Sequence, residues 1–154
     1  MAVFTSKQFG GGRPPISPEH AGHIVSQYSE VLVPNTLALN DILRMCRLPA
    51  NCVPVGVWVH CDAIDTGAVL RCQVALEDPD NLESIIASSE LTAAAYPISG
   101  AIAHMTSFPA AILQNAAALA TERRVVIKIT TAGTTKVEGT VRMLLQYRAA
   151  DFGL

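Results

Sequence analysis

The strongest constraint on the fold lies near the C-terminus, in the stretch KVEGTVRMLLQYRA (136–149). Apolar or small residues occupy every second position from Val137 to Tyr147, and mostly polar residues lie between them. Successive side chains of a β-strand point to opposite faces of the sheet. The alternation therefore predicts a long strand with one face in a core and the other turned outward.

A second alternating stretch, RRVVIKITT (123–131), precedes the first and is joined to it through TTAGTT. Val125, Ile127 and Ile129 share one predicted face. We predict that these two strands form a hairpin, with Gly133 supplying a positive φ in the turn.

Four further stretches have the composition of strands and are separated by turn-forming residues. They lie in the first half of the chain: HIVSQYSEVLVP (23–34), LALNDILRMCRLP (37–49), VPVGVWVHCD (53–62) and GAVLRCQVALED (67–78). Short strands at this spacing are typical of a β-sandwich or a β-barrel. The sequence therefore predicts a mainly β fold, and we expect Pro34 and Pro49 to end the first two strands.

The valine-rich stretch 53–62 predicts a strand with two distinct faces. Regular alternation would place Val53, Val55, Val57 and Val59 on one face, and Trp58 and His60 on the other. We expect Trp58 to be substantially buried, either in the core or in a subunit contact.

The middle of the chain differs from both ends. Asp80 and Glu83 have capping-box spacing, which predicts a short helix to about Ser88. Ser107 and Pro109 precede an alanine-rich run, which predicts a helix over 109–120. One or two short helices are thus expected, and a long insertion on a β-scaffold is the alternative interpretation.

The N-terminal residues 1–21 read as an extended arm ahead of a single domain at 22–154. FGGGRPPISPEH (9–20) contains three consecutive glycines and three prolines, which exclude a helix or a central strand. An ordered arm of this kind needs a surface to lie on, and we expect a neighbouring chain to provide it. The alternative is that the arm packs on its own domain. The residues expected to contact a partner are Phe4, Phe9, Arg13 and Ile16.

Composition indicates which partners to expect. Hydrophobic residues make up 50% of the 154 residues and charged residues only 16%, so we expect apolar surface to meet another protein, in a homo-oligomer or a larger assembly. The net charge is −2 and the basic residues are scattered, which disfavours nucleic-acid binding. No apolar run reaches the length of a membrane helix, so no membrane partner is expected.

Residues that could carry chemistry do not form a recognisable motif. Cys46, Cys52, Cys61 and Cys72 are spaced by 6, 9 and 11 residues, whereas zinc ligands usually come in close pairs. We therefore expect reduced core cysteines, and no metal, cofactor or small-molecule substrate. His20, His23, His60 and His104 are scattered, and Asp62 and Asp65 suit turn capping better than calcium binding. We predict that the chain is not an enzyme.

Two regions together resemble the small decoration, or cement, proteins of tailed-bacteriophage capsids. The resemblance spans roughly residues 30–78 and 122–149, and it is carried by VLVPNTLALNDILRMCRLPANCVPVGVWVHCDAID (31–65) and RRVVIKITTAGTTKVEGTVRMLLQYRA (123–149). The points of resemblance are a strand ending at Leu48-Pro49, a valine-rich strand with a short Asp turn, and a final apolar strand carrying Tyr147. The alanine-rich stretch 87–120 departs from the family pattern.

The resemblance implies a jelly-roll-like β-sandwich and a structural role. Such a protein binds the outside of the capsid, contacts the major capsid protein and stabilises contacts between capsid subunits. It is made in the host cytoplasm and ends on the virion exterior. The alternatives are another virion subunit, such as a tail or connector protein, and a cellular β-sandwich binding module or enzyme.

Overall fold

The described residues form nine β-strands in two sheets. The computed structural model describes residues 1–6, 23–67, 69–78, 96–97, 102–105 and 120–149. The strands are β1 (Val3–Thr5), β2 (Ile24–Val33), β3 (Ile42–Leu48), β4 (Cys52–Cys61), β5 (Arg71–Leu76), β6 (Tyr96–Pro97), β7 (Ile102–Met105), β8 (Arg123–Thr131) and β9 (Gly139–Ala149).

Consecutive strands alternate between the two sheets, except that β5 and β6 lie side by side in the same sheet. The five-stranded sheet has the order β1-β3-β8-β5-β6, and the four-stranded sheet has the order β2-β9-β4-β7. Neighbouring strands are antiparallel, except that β1 runs parallel to β3. The predicted mainly β fold is confirmed, and β2 and β3 end at the residues before Pro34 and Pro49 as expected.

The core lies between the inner faces of the two sheets. On β9, every second residue from Gly139 to Ala149 is buried, which confirms the predicted alternation. Val125, Ile127 and Ile129 of β8 face the same core from the other sheet. The largest fully buried side chains of this core are Tyr147, Leu43, Met45, Leu48, Ile127, Ile129, Met143 and Leu145, together with Leu70 just before β5.

The predicted β8–β9 hairpin is wrong. β8 pairs with β3 and β5, whereas β9 pairs with β2 and β4, so the connection crosses from one sheet to the other. Gly133 does not adopt a positive φ; instead, a Cβ there would lie 2.9 Å from Cγ of Asp65. Two amphipathic strands with a glycine-containing link have the same local pattern whether they pair or face each other across a core.

The regular alternation predicted along β4 is interrupted by a β-bulge. Pro54 pairs with Tyr147 and Gly56 pairs with its neighbour Gln146, so Val55 has no counterpart on β9. The extra residue reverses the phase of the strand. Val53, which pairs with Arg148, therefore lies on the outer face with Trp58, whereas Val57 and Val59 face the core.

The first residues of the chain pair with the domain itself. The backbone N–H of Ala2 donates to Oδ1 of Asp41 at 2.6 Å, and Oγ of Ser6 donates to the carbonyl of Met45 at 2.6 Å. Phe4, in β1, packs against the core. For residues 1–6 this is the alternative that the sequence left open, in which the arm lies on its own domain.

The helices predicted over 80–88 and 109–120 fall outside the described residues, apart from Ala120, which lies in a turn. Elsewhere in the described ranges the structure has no helix. Within them, no helix is long and apolar enough to cross a membrane.

Candidate interaction surface

The outer face of the five-stranded sheet is covered. Val126 lies between the core-facing Val125 and Ile127, so its side chain points to the outer face of that sheet. Its neighbours in register are Arg44 and Ala75. Val126 and Ala75 are nevertheless fully buried. This face is therefore not an open surface for a partner.

A buried carboxylate organises the charges on this covered face. Glu77 accepts hydrogen bonds from Nε and Nη2 of Arg44, at 3.0 and 2.6 Å, and from Nη1 of Arg124 at 3.3 Å. The side chain of Glu77 is 0% exposed, whereas those of Arg44 and Arg124 are 19% and 40% exposed. Glu77, which directly follows β5, thus links that strand to β3 through Arg44 and to β8 through Arg124.

The outer face of the four-stranded sheet carries exposed apolar side chains. Ile24, Tyr28 and Leu32 of β2 are 58%, 47% and 61% exposed. Register places Tyr28 beside Leu144, and Leu144 beside the half-buried Trp58. Aromatic and aliphatic side chains grouped in this way are typical of protein–protein contacts.

A polar row runs beside this apolar row. Glu30, Arg142 and His60 are aligned across β2, β9 and β4. Nη1 of Arg142 donates to Oδ1 of Asp62 at 2.8 Å and lies 3.4 Å from Nδ1 of His60. The Arg142 guanidinium and the Thr140 backbone N–H lower the pKa of Asp62. The apolar row is therefore bordered by polar side chains that include the ion pair of Arg142 and Asp62, as at the rim of an interface.

Trp58 meets the predicted burial only in part. Its ring lies against Gly56, where a Cβ would be 3.0 Å from Cζ3 of Trp58. The side chain is half-buried on the outer face and is not part of the core.

Asp65 organises the loops at one end of the two sheets. Its Oδ1 accepts from the backbone N–H groups of Gly67 and Thr135, at 3.2 and 3.0 Å. Its Oδ2 accepts from Val69 and Leu70, both at 2.9 Å. These bonds join the β4–β5 connection to the β8–β9 connection and confirm the predicted turn-capping role.

We expect substitution of Asp65 to remove an acid-sensitive part of the stability. Backbone hydrogen bonds, the largest contribution being that from Leu70, lower the pKa of Asp65 to about 2. An unfolded aspartate titrates near pH 3.9, so the carboxylate stabilises the fold fully above about pH 4, and that contribution disappears as the pH falls towards about 2. Asp65→Asn should melt several degrees below wild type at pH 7, with the difference narrowing between pH 4 and 2. Thermal melts at several pH values measure this.

Asp62→Asn is the matched control for that measurement. Asp62 is in the same turn, but its side chain is 45% exposed and its main partner is Arg142. Solvent screens this pair, so we expect a much smaller change in melting temperature. Equal losses in the two variants would show that Asp65 does not organise the loops.

All four cysteines are buried free thiols, as the sequence predicted. Sγ of Cys46 lies 3.2 Å from Oγ of Ser29. Burial raises the pKa of Cys46 and of Cys72 to about 12. In the described part of the chain, no group of three or more His, Cys, Asp or Glu residues could hold a metal ion.

We therefore expect Cys46 and Cys72 to resist alkylation in the native protein. Because the raised pKa of each thiol lies well above pH 8, very little thiolate is present at that pH, and burial also excludes the reagent. Mass-spectrometric labelling at pH 8 should show slow modification of both thiols in buffer and rapid modification in urea. Rapid labelling in buffer would contradict their placement, and stoichiometric zinc in elemental analysis would contradict the prediction that they bind no metal.

The sequence-predicted partner residues are only partly described. Phe4 packs against the core, and Phe9, Arg13 and Ile16 lie outside the described residues, as does His20. The sequence prediction did not include the outward-facing residues Ile24, Tyr28 and Leu32, because it did not assign the apolar residues of 24–33 to separate faces of the strand. Separating even from odd positions would have distinguished Ile24, Tyr28 and Leu32 from the inward-facing Val31 and Val33.

Comparison with known proteins gives a likeness of fold. No family model matches the sequence, and no curated protein matches it. The chain is similar to a chain in the capsid of Ralstonia phage GP4, with a TM-score of 0.74 and 24% identity, over 98% of this chain and 100% of that chain. It is also similar to a chain in the capsid asymmetric unit of cyanophage Pam1, with a TM-score of 0.49 and 20% identity, over 90% and 95% of the two chains. The first likeness shows a shared two-sheet fold that spans nearly the full length of both chains.

Proposed function

We propose that this chain is a structural protein of a bacteriophage virion. The observation that carries the proposal is the full-length likeness to a chain in the capsid of Ralstonia phage GP4. The likeness covers 98% of this chain and 100% of that chain, so it is not limited to a shared domain within a larger protein. The apolar composition and the exposed row on β2 agree with a protein that works within an assembly.

Within this class, we propose a decoration protein of the jelly-roll type. The strand order supports the jelly roll: β2-β9-β4-β7 and β3-β8-β5-β6 are two four-stranded antiparallel arrays, and β1 extends the second. A decoration protein binds the outside of an assembled shell and stabilises contacts between major capsid subunits. Weak contacts suffice for this role, because they are repeated at many equivalent sites.

We propose that the segment after β1 provides part of the capsid contact. Residues 2–6 are held on β3 by the backbone, so the contact is expected from Phe9, Arg13 and Ile16 further along the arm. Phenylalanine and arginine are enriched at protein interfaces, and isoleucine adds apolar area that a partner can bury. Their glycine- and proline-rich surroundings suit an extended backbone lying on a partner.

Co-sedimentation with capsids of the encoding phage, assembled without this chain, tests the proposal. We expect wild-type protein to pellet with capsids at a fixed stoichiometry and to raise the temperature at which they break open. The triple variant Phe9→Ala/Arg13→Ala/Ile16→Ala should bind at least about tenfold more weakly. It keeps β1 intact, so circular dichroism should show an unchanged fold.

The outcomes separate the parts of the proposal. Failure of the wild-type protein to bind capsids would overturn the decoration role, and a closed ring or binding to tails would favour the connector or tail alternative. Equal binding by wild type and triple variant would leave the decoration role standing and overturn the role of the arm.

A further inference from the structure

β2 is a long strand that pairs along only one of its edges within the described part of the chain. Its ten residues pair with β9 without interruption, and it is the first strand in the order β2-β9-β4-β7. No other strand of the described residues pairs with its second edge. An unpaired edge presents free N–H and C=O groups to any strand that can align with it.

The backbone groups that point to this edge can be identified. The N–H of Asp62 donates to the carbonyl of Thr140 at 3.0 Å, so this carbonyl faces β4. Because directions alternate along a strand, the odd-numbered residues of β9 face β2 and bond its odd-numbered residues. The even-numbered residues of β2 therefore direct their N–H and C=O groups to the open edge: Ile24, Ser26, Tyr28, Glu30 and Leu32.

β2 lacks the features that usually prevent pairing between edges. Its sequence, IVSQYSEVLV, contains no proline and no lysine, and its register with β9 contains no bulge. Glu30 is its only charged residue. Natural sheet proteins usually protect a strand of this length with such features, so their absence indicates that this edge is used.

The outward side chains of β2 are complementary to a second copy of the same strand. In an antiparallel pair centred on Tyr28, Ile24 lies opposite Leu32 of the second copy, and the two Tyr28 side chains meet at the two-fold axis. Ser26 lies opposite Glu30. The three exposed apolar residues of each copy thus all meet apolar residues, as a self-complementary two-fold interface requires.

Other registers lose this match. If one β2 strand slides by one residue relative to the other, side chains on the outer face of one copy lie opposite side chains on the inner face of the other. A centre at Glu30 opposes two carboxylates, and a centre at Ser26 leaves Leu32 without an apolar partner. Centres at Gln27 or Ser29 pair the exposed apolar residues with polar ones. The pattern therefore selects the register centred on Tyr28.

We propose that two copies of this chain associate through antiparallel pairing of their β2 edges, with Tyr28 on the two-fold axis. The two four-stranded sheets then form one continuous sheet, joined by about ten backbone hydrogen bonds. The proposal concerns the isolated protein and does not rest on the capsid role.

The central residue offers the first test. Tyr28→Lys places two ammonium groups against each other at the two-fold axis and removes the aromatic contact. In analytical ultracentrifugation we expect wild type to be dimeric and Tyr28→Lys to dissociate with a Kd on the order of 100-fold higher. Gln146→Lys is the control, because it adds the same charge to the same face but on the central strand β9; it should remain dimeric. Monomeric wild type, or an oligomer unaffected by Tyr28→Lys, would overturn the proposal.

The register offers a second test that does not depend on affinity. Opposed residues in a hydrogen-bonded antiparallel pair have Cα atoms about 5.5 Å apart, within the range that a disulfide spans. A mixture of the Ile24→Cys and Leu32→Cys proteins should form an oxidised heterodimer. Either protein alone should not, because its own introduced thiols would lie more than about 20 Å apart. Cross-linking of Ile24→Cys alone, or none in the mixture, would rule out this register.

Discussion

Glu77→Ala should lower the free energy of unfolding by about 3 kcal/mol. The Glu77 carboxylate is fully buried and accepts from both Arg44 and Arg124. Its loss leaves the guanidinium of Arg44, whose side chain is only 19% exposed, without the carboxylate that it binds. The large effect comes from the charges left behind, since removing one member of a buried ion pair costs more than the intact pair contributes. Urea denaturation at a fixed protein concentration measures the change.

Glu122→Ala is the control for this experiment. Glu122 also pairs with an arginine of β3, Arg47, but at 3.4 Å and with side chains 41% and 29% exposed. An ion pair that is accessible to solvent contributes at most about 1 kcal/mol. If the two variants lost similar stability, the Glu77 cluster would not be a buried network.

Leu145→Ala should destabilise the protein by about 2–5 kcal/mol. Leu145 lies in the middle of β9, between Gln27 of β2 and Val57 of β4, and is 0% exposed. Truncation removes apolar contacts and leaves a cavity between two sheets that are each held by long hydrogen-bonded ladders, so collapse around it is limited.

Leu39→Ala makes the same chemical change at a residue that is 51% exposed in a turn. Its free energy of unfolding should stay within about 0.5 kcal/mol of wild type. An unchanged denaturant slope would show that both variants unfold from the same compact state. A small effect at Leu145 would mean that β9 is not the central strand of the core.

The strands were predictable because their signal is local. Alternation along β9, the prolines that follow β2 and β3, and the β-branched composition of β4 and β8 each depend on neighbouring residues alone. The bulge at Val55 was not predictable in this way. It arises because the partner strand fixes the register on both sides of Pro54 and Gly56, and only pairing with β9 shows where one residue must be left out.

The surface residues were predictable only in part. Asp65 stood out as a turn-capping residue because short polar side chains in a turn bond to the nearby backbone. Glu77 gave no such signal, since its partners Arg44 and Arg124 are 33 and 47 residues away. The exposed residues of β2, Ile24, Tyr28 and Leu32, recur at every fourth position of the sequence. Their exposure, however, depends on the tertiary structure, because the other face of β2 packs on the core.

By itself, the sequence determined that the chain forms a mainly β protein with buried free cysteines and with a C-terminal strand that has one face in a core. Each of these follows from the period of the side chains or from the chemistry of single residues. Only the tertiary structure decided which strands pair. β8 and β9 have the pattern of a hairpin, yet they lie in opposite sheets. Their apolar faces are buried equally well when the two strands face each other across a core. The strands pair with other partners instead: β8 lies between β3 and β5, and β9 lies between β2 and β4, all of which come from distant parts of the chain.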